Sequence, residues 1–400
     1  MKVLQVNCVY QKGSTGKIVS DIHAELKNRG ITSIVCYGRG EKINEKNIYK
    51  VSSELYSKFN QIRAKCTGLL YGGCFFSTNK LCSIIQREQP DLVHLHCING
   101  YFVNIYRLIQ WLKRRNIRTV ITLHAEFMHT ANCGYALECE KWKTGCGKCP
   151  RNKTEIGSLL FDSTHRSWRK MKRAFDGFDN LAVVSVSPWL MERAKQSPIL
   201  ADKKHCVIFN GLDTDIYKIY DTQELRQKHG LTDEKIIFHA TSCFSADPNH
   251  IKGGHFVLKV AEALKNEKIK ILVAGSYSPE IKIPPNMIML GLITNQTLLA
   301  QYYSMADVTL LTSKKETFSM VCAESLCCGT PVVGFKAGAP EQISLADYST
   351  FVEYGDIRNL EVAILKRLLD KEINKEPIAR KAKDSYAQKY MIDKLLDLYQ

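Results

Sequence analysis

The sequence predicts an α/β protein built from two doubly wound, Rossmann-like domains that face each other across a cleft. Three observations carry this. Short β-branched runs alternate with helical patterns from one end of the 400 residues to the other. The runs are apolar almost throughout, as strands covered on both faces must be. The rhythm occurs twice, and the length suits two domains rather than one.

In order, KVLQVNCVY (2–10) reads as a first strand, followed by a helix with Ile18, Ile22 and Leu26 at helical spacing. TSIVCYGR, DLVHLHC, RTVITLH and NLAVVSVS follow as strands, each ending near a Gly, a Pro or a polar turn. HCVIFN then stops at Asn210-Gly211, a turn signal. The second series is KIIFHATS, KILVAGS, NMIMLG, DVTLLTS and TPVVGF. The predicted division is 1–210 with a Cys-rich loop at 133–150, then 211–378, then a last helix over 379–400. That helix either ends the second domain or packs back on the first.

Composition narrows the function. With 45% hydrophobic and 24% charged residues the chain is an ordinary globular one. No apolar run reaches the roughly 18 to 20 residues that span a bilayer, and no secretory leader is visible at Met1-Lys2-Val3. Fifteen cysteines in such a chain are expected to be mostly reduced thiols. The net charge of +16 is uneven: Tyr101 to Phe175 holds 15 Lys and Arg against 5 Asp and Glu. Nucleic acid, anionic lipid and a phosphate-bearing substrate would all suit that stretch.

Open parallel sheets bind ligands beyond the carboxyl ends of their strands, so polar residues there are the site candidates. Gly13-Ser14-Thr15-Gly16 follows the first strand and opens a helix, where free N–H groups and the helix dipole favour an anion. Ile18 rules out a Walker A loop, and a plain tight turn is the alternative. His94, His96 and His124 end two strands, and each could bond a hydroxyl or phosphate, or simply be structural. Lys252-Gly253-Gly254 precedes an apolar helix. A lysine opposes the dipole there unless an anion lies between them. Glu316 and Glu324 flank TFSMVCA. Such carboxylates can accept from vicinal hydroxyls, or Glu316 can serve as helix-terminus charge.

Cys133, Cys139, Cys146 and Cys149 lie in one loop-like segment, NCGYALECEKWKTGCGKCP. Four thiolates complete a tetrahedral zinc set; a metal-free loop or an incidental disulfide are the alternatives. In THRSWRKMKRAF (164–175), Trp168, Met171 and Phe175 recur at helical spacing among five Lys and Arg. This reads as a basic amphipathic helix lying on anionic lipid, or as a solvated helix packed by one face.

These motifs together resemble the GT-B glycosyltransferases of family 4. The segment E-T-F-S-M-V-C-A-E-S-L-C-C-G-T-P-V-V (316–333) is similar to the family's Glu-x7-Glu followed by its G-T-P-V-V strand, and Gly338-Ala339-Pro340-Glu341 matches the downstream G-x-x-E. The glycine loop, the strand ending in His124, the N-G-L-D hinge and K-G-G follow in the family's order, so the resemblance spans the chain. The cysteine pattern is similar to that of a subgroup from bacterial surface-polysaccharide clusters.

The resemblance implies a retaining transfer from a nucleotide-sugar donor to a lipid-linked oligosaccharide of a capsule or O-antigen. It implies no catalytic metal, at most a structural zinc, and a cytoplasmic place on the inner membrane face. It implies that Glu324 binds the donor ribose, Glu316 the donor sugar, Lys252 the diphosphate, and that Gly16 offers its N–H to it, with His124 at the reacting centre. The family's Arg about six residues before the lysine is replaced by Ala246, and His250 is a candidate substitute. The competing readings are a sugar-nucleotide epimerase of the same fold and a basic, zinc-containing nucleic-acid-binding protein.

Overall fold

The computed structural model describes residues 1–369 and 374–400. They divide into two units, Met1–Ile208 with Leu395–Gln400, and Phe209–Lys394.

The first unit holds a parallel sheet of β1 (Lys2–Asn7), β2 (Thr32–Tyr37), β3 (Ile48–Lys50), β4 (Leu92–Leu95), β5 (Thr119–Leu123), β6 (Leu181–Ser185) and β7 (Lys204–Val207). Its order is β3-β2-β1-β4-β5-β6-β7, so the winding reverses between β1 and β4. The central strands are apolar and buried on both faces, which forces helices onto each side. Tyr10, Val19, Val35, Tyr37 and Ile48 form a satellite core beneath the Gly13–Asn28 helix.

The second unit holds β8 (Lys235–Phe244), β9 (Ile269–Tyr277), β10 (Met287–Gly291), β11 (Val308–Leu311), β12 (Val332–Phe335) and β13 (Ser349–Val352). The order β10-β9-β8-β11-β12-β13 reverses between β8 and β11. Its core joins Ile237, Val273, Leu310 and Val333 of the sheet to Phe256 and Val260 of the Gly254–Ala263 helix and to Leu360 and Ile364.

The end of the chain is two helices, Lys375–Tyr386 and Gln388–Tyr399, rather than one. Ala387 is extended and pairs with Leu212, whose N–H donates to Tyr386 O at 2.7 Å. The last six residues belong to the first unit. There Arg118 donates to Leu398 O at 2.9 Å and Tyr399 bonds His94.

The reading of 164–175 as a lipid-facing helix is corrected by the Thr164–Phe175 helix. Trp168, Met171 and Phe175 are buried, and Trp168 donates to Trp142 O at 2.7 Å. The apolar stripe is core, and the basic residues are its solvent face.

Candidate active site

In the second unit the loops after β8 and β11 are stitched together at the switch point. Lys314 N donates to Ile251 O at 2.8 Å, and Thr312 Oγ1 donates to Lys252 O at 2.9 Å. Gly253 makes this approach possible. Its φ is +65°, and a Cβ there would lie 2.2 Å from Thr312 O, so any side chain would push the two loops apart. Lys252 is thereby held at the opening of the Gly254–Ala263 helix, with Nζ 2.6 Å from Glu316 Oε1.

Glu316 is buried and fixed through its backbone: its N–H donates to Ala337 O at 2.9 Å, and its own carbonyl accepts from Ala339 N at 3.2 Å. Glu341 secures that neighbouring turn by accepting from Ala337 N and Gly338 N at about 3 Å. Glu341 was quoted in the sequence motif without a role; the structure gives it this positioning one.

Glu324 lies on the Met320–Cys327 helix, half-buried, and accepts from Tyr303 Oη at 3.0 Å. Tyr217 is a second neighbour, and Glu324 is among the groups that, after burial, push its phenol up. Neither tyrosine was marked in the sequence: Tyr303 lies on the Gln296–Met305 helix, where an aromatic reads as core, and Tyr217 lies in a loop. Ser319 caps this helix with φ +79°, unusual for a residue with a Cβ.

One candidate replacement for the missing arginine, His250, sits two residues before Lys252, with Nδ1 buried and without a partner. His239, at the centre of β8, bonds Leu310 O at 2.9 Å; burial first and then the Lys252 charge hold it down to about 4. It is therefore a neutral wall beneath Lys252, and not a second cation.

In the first unit, the β1/β4 switch point gathers uncharged groups. Asn7 accepts from Cys97 N at 3.0 Å and donates to Val9 O at 2.7 Å, shaping the turn that leads to Gly16. Gly16 is buried, and a Cβ there would meet Val9 Cγ2 at 3.1 Å and Val9 O at 3.3 Å. The three histidines form one cluster. His94 and His96 have ring centroids 3.9 Å apart, and His96 Nδ1 shares a hydrogen bond with His124 Nε2 at 3.3 Å.

His94 is committed to Thr122 Oγ1 at 2.7 Å and Tyr399 Oη at 2.5 Å, a structural role. His124 is half-buried at the end of β5. Loss of water pushes His124 down to about 4 and His94 to about 3, so both are neutral near pH 7. A neutral His124 can give or take a hydrogen bond from a sugar hydroxyl, and it brings no positive charge.

The loop after β5 hangs from a buried carboxylate that sequence reasoning missed. Glu126 accepts from Arg193 Nε at 2.5 Å and from Ala136 N at 2.7 Å, with His129 at 3.3 Å. A buried glutamate needs such partners, but nothing in the local sequence points to Arg193. Cys133, Cys139, Cys146 and Cys149 then line one cavity of about 20 Å³ beside Trp142 and Arg151. Among the described residues no three His, Cys, Asp or Glu side chains are gathered as a ready metal-ligand set. Cys146 Sγ faces Thr130 O at 3.7 Å and Cys133 Sγ faces Arg151. Burial pushes the Cys146 thiol up to about 12.

The profile of "Glycosyltransferase Family 4" matches residues 15–216, half of the chain, and that of "Glycosyl transferases group 1" matches 221–384. The chain belongs to glycosyltransferase family 4. It is 21% identical, over 100% of both chains, to the putative colanic acid biosynthesis glycosyl transferase WcaC of Escherichia coli K12. It is 22% identical to the N-acetyl-alpha-D-glucosaminyl L-malate synthase of Bacillus anthracis, over 99% of this chain and 94% of that one.

Solved structures share the fold. WaaG, a glycosyltransferase involved in lipopolysaccharide biosynthesis, gives a TM-score of 0.67 at 15% identity, covering 100% of this chain and 99% of the other. Anabaena HepE in complex with UDP-glucose gives 0.65 at 15% identity, with the same coverage. The protein is thus a glycosyltransferase of GT-B fold, and the epimerase and nucleic-acid readings give way to it.

Proposed function

We propose that this family-4 enzyme moves a sugar from a nucleoside diphosphate donor to a lipid-linked saccharide in surface-polysaccharide synthesis, with retention of configuration. The bond from the anomeric carbon to the diphosphate oxygen breaks, and its electron pair leaves with the nucleoside diphosphate. The acceptor hydroxyl oxygen bonds the same carbon and passes its proton to the departing diphosphate oxygen. Positive charge grows on the sugar and negative charge on the leaving group, so fixed cations and N–H donors at the diphosphate lower the barrier.

The observation that supports this most is the Lys252–Glu316 pair, 2.6 Å apart at a helix N-terminus on the β8/β11 switch point. The helix end and ammonium suit a diphosphate. Glu316 and Glu324 suit the hydroxyls of the sugar and ribose, and the roles read for Gly16 and His124 stay an N–H offered to the diphosphate and a contact at the reacting centre. HepE's complexes with UDP and UDP-glucose make a uridine donor the first to try.

The test is a screen of nucleotide sugars for hydrolysis and thermal stabilisation. One or a few donors are expected to raise the melting temperature and turn over; inertness to all of them would overturn the reading.

The cysteine cavity is proposed as a structural zinc site. Four thiols line one small cavity, and since no three ligand side chains are gathered there among the described residues, they would have to close in on an ion to bind it. Zinc would then lock this loop and supply no chemistry. About one zinc per chain after metal-replete expression, lost in Cys146→Ser, supports this, and none overturns it.

A further inference from the structure

The Glu54–Thr67 helix is amphipathic the wrong way round. It buries Ser57, Asn60 and Ala64 and turns Leu55, Phe59 and Ile62 to solvent, the first of them 80% exposed. Large apolar side chains at i, i+4 and i+7 normally face a core. Two neighbouring segments extend the exposed stripe. Phe76, 78% exposed, opens the next helix with its ring 5.9 Å from Tyr56 and its N–H on Tyr56 Oη. The loop carrying Leu160 and Phe161, both exposed, is pinned to the far end of the helix: Leu159 N donates to Lys65 O at 2.9 Å, and Ser163 Oγ to Thr67 O at 2.7 Å.

Basic groups border the stripe. Lys58 and Lys65 are exposed on the same helix. Arg166 and Lys170 come from the Thr164–Phe175 helix, near enough to Arg63 that, after burial, the Arg166 and Arg63 charges depress the Lys170 ammonium. A continuous apolar patch with a cationic border marks an interaction site. Insertable aromatics among lysines and arginines match the acyl boundary and phosphate headgroups of an anionic bilayer. Among the described residues no helix is long and apolar enough to cross a membrane.

We infer that the surface formed by Leu55, Phe59, Ile62, Phe76, Leu160 and Phe161 seats the enzyme on an anionic membrane. It goes beyond the proposed reaction and stands on this surface alone. The basic helix singled out in the sequence supplies border charge, while the inserting side chains come from other elements, the Glu54–Thr67 helix and its two neighbouring segments.

The test is sedimentation of the full chain with vesicles of phosphatidylglycerol and phosphatidylcholine, and of phosphatidylcholine alone. Wild type is expected to partition onto the anionic vesicles, the Phe59→Ser/Phe76→Ser variant about tenfold less, and Leu292→Ser, an exposed leucine of the second unit, unchanged. Circular dichroism checks folding, and Lys58→Glu/Lys65→Glu, which spares the apolar groups, should also weaken binding.

Wild type remaining in the supernatant would overturn the inference. So would equal binding by the serine variant, or a wild-type dimer that this variant turns to monomer without any lipid binding. Nucleoside diphosphate affinity, measured in parallel, separates this surface from the active site: failure of one leaves the other standing.

Discussion

The β1/β4 and β8/β11 switch points are the same topological device, two parallel strands where the winding turns back, each followed by a glycine-containing loop and a helix. Their chemistry differs. At β1/β4 and the adjoining end of β5 the groups are Asn7, Cys97, His96 and His124, with burial pushing the Cys97 thiol up to about 12 and the histidines down. At β8/β11 an ammonium and a carboxylate stand 2.6 Å apart, with a second carboxylate tied to tyrosine on the following helix. The scaffold offers both sheets the same place for a ligand. Where charge is kept distinguishes a switch point that offers an ammonium and carboxylates from one that offers neutral hydrogen-bonding groups.

The largest expected effect comes from removing charge at β8/β11. Lys252→Ala should lower kcat by about a hundredfold, the scale of losing one fixed donor at a developing anion. Lys252→Arg should fall between the two, because its planar fork cannot reproduce a point charge. Both should fold, since this side chain is about a third exposed. Wild-type turnover in Lys252→Ala would erase the contrast between the two switch points.

A smaller effect belongs to the uncharged switch point. Its histidines take up protons in the unfolded chain near pH 6.5 and refuse them in the fold down to about pH 4 or 3. The unfolded state thus binds more protons across this window, and stability falls as pH drops below about 6.5, by roughly 1 kcal/mol per pH unit for each histidine. All four tryptophans, Trp111, Trp142, Trp168 and Trp189, lie in the first unit, so their fluorescence in denaturant reports this unit alone. A midpoint unchanged between about pH 7 and pH 5 would mean the cluster is not desolvated.

Much of this was legible in the sequence because buried parallel strands write themselves as apolar runs. The two unread strands, β3 and β13, are short edges of three and four residues, where half-exposure leaves no such run. Lys252 and Glu324 were readable because a charge in an apolar helix or at the wrong helix end is conspicuous, and Glu316 because of its spacing to Glu324. Tyr303, Tyr217 and Arg193 were not, because a partner some twenty to a hundred residues away leaves no local trace. The Thr164–Phe175 and Glu54–Thr67 helices show the same limit from opposite sides. An apolar stripe says that something covers it, and only tertiary packing says whether that is the core.

The most direct test is a calorimetric titration of wild type, Lys252→Ala and Glu324→Ala with nucleoside diphosphates. The account predicts saturable binding of at least one of them to wild type, weakened about tenfold or more in each variant, a difference of about 1.4 kcal/mol. No saturable binding, or equal affinity in all three proteins, would contradict it.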